Sequence, residues 1–271
     1  MLPPPPREGL HAMQSLLMCG SVPDAHDPLY PETRGGPKAL LDVAGKPMAQ
    51  WVLDALSGAP SVEGVILIGL GPESGLTTSK PVTYLADQGG AVSNALAGVR
   101  KALQQQPGTT HVLLTSCDVP AVTAEMIEWR IAVGREADAD FDYLAIERPV
   151  MEARFPGSRR TYTPLRGAQV CGGDINMAHV RLADNAALVE RLAAARKSPL
   201  RTASLIGWNV LLLFLLRQLT LERGEQLVSR NLGIRTRFHL CPYAELGMDI
   251  DKPHQLEILR ADLGRRHAAG A

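Results

Sequence analysis

The chain has no paired-cysteine motif, no excess charge of either sign, few aromatic residues and no apolar run of membrane-spanning length. Each absence removes a class of protein. Cys19, Cys117, Cys171 and Cys241 are widely scattered with no C-x-x-C spacing, which argues against a zinc ribbon or a disulfide frame, so reduced thiols and a cytoplasmic setting are expected. Lys plus Arg and Asp plus Glu number 28 each, so no global field exists to hold a polyanion, and nucleic acid is not an expected partner. Within 205–221 the apolar segment Val210–Leu216 is bounded by Asn209 and Arg217 and falls short of the ~20 residues a spanning helix needs. It reads as a helix buried in a core or facing a partner, with a homodimer left open and no membrane span. Residues 1–12 hold a proline run and no apolar core, so they do not read as a secretory signal and are expected to form a disordered tail.

What is present points to a folded enzyme-sized domain. Apolar residues make up 45% and charged residues 21% of the chain, ordinary usage for a globular protein. The 271 residues admit one α/β domain, placed at 13–265, with a helical insertion at 182–231. From Met13 onward apolar runs alternate with helical patterns, the mark of βα units building a mostly parallel sheet. Strands are expected at Gln14–Cys19, Val65–Ile68, Val82–Ala86, His111–Ser116, Tyr143–Glu147 and Ile234–Leu240. Helices are expected at Pro47–Leu56, at Ala91–Leu103, at Ala124–Val133 behind a Thr123 cap, and from Pro253 to about Leu263. The loop from Gly20 to Gly36 exceeds the usual βα connection of about 2–6 residues, which suits a functional task.

Four short segments bear on chemistry, and each has a plainer alternative. Arg34-Gly35-Gly36-Pro37-Lys38, followed by Gly45-Lys46-Pro47, offers backbone N–H groups and positive charge to phosphate oxygens; it equally suits a solvated basic loop. Asp118 at the carboxyl end of the His111–Ser116 strand is a hard oxygen donor at the edge where open α/β sheets bind ligands, or a turn residue. Asp249 and Asp251 alternate along a strand-like segment and so share one side of it, although acidic groups also cap helices. Asp87-Gln88-Gly89-Gly90, leading to Asn94, is a glycine turn that would let a ring or phosphate approach the backbone.

Taken together, these residues resemble the MobA-like NTP transferase family. Pro37-Lys38-Ala39-Leu40 with Gly45-Lys46-Pro47 is similar to its P-K-x-L and G-K-P segments, Asp118-Val119-Pro120 to its D-x-P, and Asp249-Ile250-Asp251-Lys252-Pro253 to its closing D-x-D-T-P. The resemblance runs from Met13 to about Leu263 and is poorest over 182–231. It implies a Rossmann-like GT-A nucleotidyltransferase fold, three-layer α/β/α with a mostly parallel central sheet, acting on an NTP donor and a small-molecule acceptor. It further implies that Lys38 and Asp118 are catalytic, that Asp118 and Asp251 hold Mg2+ or Mn2+, and that Gly20, Arg34, Lys38, Gly89, Gly90 and Asn94 seat the nucleotide. Met18-Cys19-Gly20-Ser21 keeps only one glycine of the family's opening L-A-G-G, and His254-Gln255 stands where E-D is usual.

The acceptor is addressed by a cationic stretch. Arg159 and Arg160, before Cys171-Gly172-Gly173-Asp174, and Arg196-Lys197 further on suit a phosphorylated or carboxylated acceptor, or form a charge-balanced surface. Two other readings stand beside the main one. One is a sugar-1-phosphate or isoprenoid-precursor nucleotidyltransferase on the same fold, and the other is a catalytically silent nucleotide-binding module.

Overall fold

A computed structural model describes residues 13–195, 205 and 207–270. The expected tail at 1–12 and the candidate residues Arg196 and Lys197 lie outside the described residues. The centre of the fold is β1 (Met13–Met18), flanked by β4 (Val62–Ile68) and β6 (His111–Ser116), with β5 (Val82–Leu85) beyond β4, all parallel; β2 (Asp42–Val43) and β3 (Lys46–Pro47) form a separate antiparallel pair. β1 and β4 are buried on both faces, which is why they read as continuous apolar runs rather than alternating ones.

The period-two geometry of the strands sorts their side chains between two layers. Leu17, Val65, Leu67 and Leu113 face a core shared with α2 (Met48–Gly58) and α4 (Ala124–Ala137), whereas Leu16, Ile66, Ile68 and Val112 face α3 (Ala91–Gln105). Two polar residues inside β1 and β6 satisfy each other, since the Ser15 and Thr115 hydroxyls are 2.9 Å apart. The α4 start is capped as expected, the Thr123 hydroxyl accepting from the Met126 N–H at 3.4 Å. The α/β/α layering with a mixed, mostly parallel sheet is thus the expected fold class.

The other half of the sheet departs from the sequence reading. Among the described residues the sheet has nine strands, in the order β5-β4-β1-β6-β10-β7-β9-β8, with β11 on the remaining edge of β7. Here β7 (Phe141–Glu147) and β11 (Thr236–Leu240) match expected strands, but β8 (Thr163–Leu165), β9 (Ala168–Gly172) and β10 (Ile175–His179) do not. They escaped the pattern because they are short and because β9 and β10 are separated only by Gly173-Asp174. All three run antiparallel to their neighbours, and β10 wedges between β6 and β7. A short α1 (Tyr30–Thr33) lies inside the long loop, and α5 (Arg148–Arg154) follows β7 directly. The helical stretch, α6 (Ala186–Ala195), α7 (Trp208–Leu215) and α8 (Leu221–Leu232), connects β10 to β11, and α9 (Pro253–Gly270) closes the chain. No helix among the described residues is long and apolar enough to cross a membrane.

One buried ion pair ties the two halves together. Arg130 on α4 and Asp142 on β7 are 0% and 1% exposed, and the guanidinium donates to the Asp142 carboxylate at 2.6 Å and to the carbonyls of Ile175 and Asp142 at 2.9 and 2.8 Å. The other Asp142 oxygen lies 2.8 Å from His239 Nε2 on β11. Burial pushes the Arg130 guanidinium down from its ordinary value, with Asp142 opposing. Removing one partner leaves a buried charge unpaired, so Asp142→Ala should lose about 3–5 kcal/mol of stability, and Arg130→Met with Asp142→Leu should recover most of it. Urea denaturation of the three proteins checks this; equal stability of the single and double variants would remove the pair from its structural role.

Candidate functional site

The site forms where β1, β6 and the segment before α9 end together. Pro37 leads into a single tight turn, Lys38–Leu40, and the Lys38 N–H donates to the Ser21 carbonyl at 2.9 Å, which fastens the long loop to the end of β1. Asp118 stands two residues past the end of β6, and its Oδ1 accepts from the Ser116 hydroxyl at 2.5 Å. The third segment is held against β6 by the Ile250 N–H, which donates to the Asp118 carbonyl at 3.0 Å. Asp251 is held in turn by Gln255, whose side-chain oxygen accepts the Asp251 N–H at 2.9 Å. Gln255 and His254, the departures from the family pattern, therefore serve local roles, His254 Nε2 lying 3.0 Å from the Ser158 carbonyl.

Lys38 is the hub. Its Nζ donates to Asp118 Oδ2 at 2.9 Å and to Asp251 Oδ1 at 2.7 Å. Burial disfavours its charge, yet the two carboxylates outweigh burial and hold the ammonium above its ordinary value. A second cation completes the cluster, because Arg160 pairs with Asp249 and lies 3.8 Å from Asp174. Asp249 and Asp251 thus both reach into the site, but to different cations. Their accessibility differs as well: the Asp249 side chain is 11% exposed and the Asp251 side chain 58%.

Asp174, in sequence only the end of a Cys-Gly-Gly-Asp stretch, is brought here by the structure. It sits at the break between β9 and β10, where its carbonyl accepts from the Ser116 N–H at 3.0 Å and its own N–H donates to the Leu246 carbonyl at 2.8 Å. Glycine makes this close approach possible. A Cβ at Gly173 would lie 2.7 Å from the Leu144 Cβ, and one at Gly247 would lie 2.6 Å from the Gly172 carbonyl oxygen. The Gly-Gly-Asp run next to an arginine-rich stretch was the available signal, though it says nothing of what the aspartate faces.

The nucleotide-side candidates are brought together in part. Gly20, after β1, touches Asp87, after β5, so closely that a Cβ on Gly20 would sit 2.5 Å from the Asp87 carboxylate. Asp87 also accepts from the Asn94 amide at 2.7 Å and the Gly89 N–H at 3.1 Å, while the Asn94 oxygen accepts the Gln88 N–H at 2.7 Å. Asn94 is buried, and its side chain holds the Gly89-Gly90 turn in shape. Arg34 is exposed, in left-handed backbone at the end of α1, and makes no ion pair among the described residues. Arg159 is likewise exposed, so neighbouring arginines divide, Arg160 into the site and Arg159 into solvent. A cavity of about 870 Å³ lies apart from these residues, lined by Arg148, Glu152, Gln169 and Arg217 among others.

Burial, then the nearby Asp118, push the Asp174 carboxyl up to about 7, with Arg160 opposing. The fold favours the protonated form, so Asp174 takes nothing from stability below the ordinary carboxylate value of 3.8 and increasingly destabilises as pH rises from there toward 7. Asp174→Asn should therefore melt higher than the parent at pH 8 and match it at pH 4. A constant difference across that range in thermal melts would show that Asp174 carries no shifted proton.

A model of the MobA-like NTP transferase domain matches residues 33–232, which includes the helical connection and stops short of Asp249 and Asp251. Among solved structures, a hypothetical transferase from Thermus thermophilus is 32% identical, with 90% of this chain and 99% of that one covered and a TM-score of 0.75. A CMP:2-keto-3-deoxy-manno-octonic acid synthetase complexed with CTP shares the fold at 14% identity and a TM-score of 0.59, covering 94% and 100% of the two chains. The bifunctional enzyme IspD/IspF of Sphingopyxis alaskensis is 29% identical over 120 residues, which is 44% of this chain and only 31% of that enzyme's length. With a family match over residues 33–232, most of its length, this chain belongs to the MobA-like NTP transferase family.

Proposed function

We propose that the protein moves a nucleoside monophosphate from an NTP to a small anionic acceptor and releases pyrophosphate, through a site centred on Lys38. The observation that carries this reading is one ammonium held between two carboxylates from distant parts of the chain, Asp118 and Asp251, at the ligand-binding edge of the sheet. An acceptor oxygen forms a bond to the α-phosphorus as the bond from that phosphorus to the bridging oxygen of pyrophosphate breaks. Lys38 stays cationic and neutralises phosphate charge during this displacement. A phosphate or carboxylate nucleophile is already ionised, so the step needs no general base.

The residues fit a divalent metal. Asp118 Oδ2 and Asp251 Oδ1 both lie within 3 Å of one cationic atom, so hard oxygens already select positive charge at that point. Magnesium is usually held by one or two carboxylates with substrate phosphates and waters completing its shell. Bound there, Mg2+ or Mn2+ would supply charge neutralisation at the triphosphate. Arg160 is the acceptor-side cation in this reading.

A narrower reading, cytidylyl transfer to a sugar acid or a related acceptor, is favoured by the structural likeness to a synthetase complexed with CTP. Melting the protein with each of the four NTPs and Mg2+ separates these possibilities. One NTP at about 100 times its Kd should stabilise by roughly 2.7 kcal/mol, and Asp118→Ala should lose that gain. A protein indifferent to all four NTPs would be a silent module instead. Once an acceptor is found, Lys38→Ala should lower kcat by about 10²–10³ with the NTP Kd changed far less; an unchanged kcat in steady-state assays would take Lys38 out of the chemistry.

A further inference from the structure

Three remote segments bring their charges to one point, and a side chain of the protein stands on it. Lys38 comes from the tight turn after the long loop, Asp118 from beyond the end of β6 and Asp251 from the entry to α9. The Lys38 ammonium is 2.9 Å from Asp118 Oδ2 and 2.7 Å from Asp251 Oδ1. Its side chain is only 9% exposed, against 18% for Asp118 and 58% for Asp251. The ammonium is thus the enclosed member of the trio, and the carboxylates are the members that solvent reaches.

Magnesium sits about 2.0–2.1 Å from its oxygen ligands. An ion bound to both of these oxygens would fall between them, where the ammonium stands, so the two cations exclude each other. The Ile250 N–H donates to the Asp118 carbonyl at 3.0 Å, which keeps the two carboxylate segments together. Lys38 carries its charge on four flexible methylenes and can swing while its own N–H stays on the Ser21 carbonyl at 2.9 Å. Where the ammonium goes decides what must arrive with the metal. An ion arriving alone takes both carboxylates and leaves a half-buried ammonium unpaired beside a dication, which is costly. An ion arriving with a triphosphate brings an anion too, and Lys38 then exchanges carboxylate oxygen for phosphate oxygen.

We infer that Lys38 is a placeholder cation, which closes the Asp118–Asp251 site to a free divalent ion and yields it to one that comes with a nucleotide. This rests on the reading of that site as a nucleotide and metal site, and adds the order in which its ligands enter. By linkage, the nucleotide raises the affinity for the metal, and the metal that for the nucleotide, by the same factor.

Water-proton relaxation, which quickens when Mn2+ binds a slowly tumbling protein, reads the metal directly and needs no acceptor. Without nucleotide, Lys38→Met should bind Mn2+ at least about tenfold more tightly than the parent. Lys38→Arg keeps the charge and should stay near the parent, and adding Asp118→Ala to Lys38→Met should abolish the gain. With each of the four NTPs in turn, the parent should take up Mn2+ with the one it binds. Thermal melts of each variant without metal separate a lost site from a lost fold, and Lys38→Gln, which can still donate to either carboxylate, repeats the measurement with a second neutral side chain. Equal nucleotide-free binding by the parent and both neutral variants, abolished by Asp118→Ala, overturns the inference and leaves the metal site standing. The parent also decides alone, since Mn2+ bound as tightly without nucleotide as with it has the same meaning. Uptake that is absent or indifferent to Asp118 under every condition removes the metal site itself, and the inference with it.

Discussion

Carboxylates gathered at one edge of a sheet repel one another, and everything at this site depends on the cations that hold them there. Two unit charges about 5 Å apart interact by roughly 3 kcal/mol at an effective dielectric of about 20, a large fraction of the stability of an ordinary domain. Lys38 removes this repulsion between Asp118 and Asp251, and Arg160 stands between Asp249 and Asp174 in the same way. An arrangement balanced by side-chain cations is also one that exchanges readily, since phosphates and a metal would bring charges of both signs to the same place. The carboxylates of this edge are therefore balanced by cations of the chain itself.

The backbone makes this crowding sterically possible. Two glycines, Gly173 and Gly247, let the segment carrying Asp249 and Asp251 approach the break between β9 and β10. Gly20 plays the same part after β1, where a side chain would collide with Asp87. The topology does the rest. Because β10 wedges antiparallel between β6 and β7, the turn before it, with Asp174, arrives at the same edge as the end of β6, with Asp118. A purely parallel sheet would have sent that turn to the opposite edge.

The buried Arg130–Asp142 pair and the α7 helix show how the antiparallel half is fastened and what it presents. Arg130 reaches from a helix of the parallel half to carbonyls and a carboxylate of the other half, so the two fold as one body. Beyond this joint, α7 buries one apolar side in its own small core and leaves the other in solvent. The sequence reading of this segment, as a helix in a core or against a partner, described both sides without assigning them.

Much of the parallel half was legible in the sequence, because strands buried on both faces are continuous apolar runs and the helices between them carry local caps and periodicity. The His111–Ser116 strand came out with its observed ends, and Thr123 caps the following helix as its type demands. The residue types at Lys38, Asp118 and Asp251 were legible as well, since each stands at the end of an element that the local pattern defines. The strands β8 to β10 were not, because short antiparallel strands are stabilised by partners far away in the chain and carry little signal of their own. For the same reason nothing local separates Arg160 from Arg159, or marks Asp174 as a neighbour of Asp118. The sequence by itself determined the layered α/β plan and singled out Lys38, Asp118 and Asp251 as candidates, through local periodicity and residue type. Which charges meet was decided only by the tertiary structure, because electrostatic pairing depends on distances that strand order and register set between residues remote in sequence.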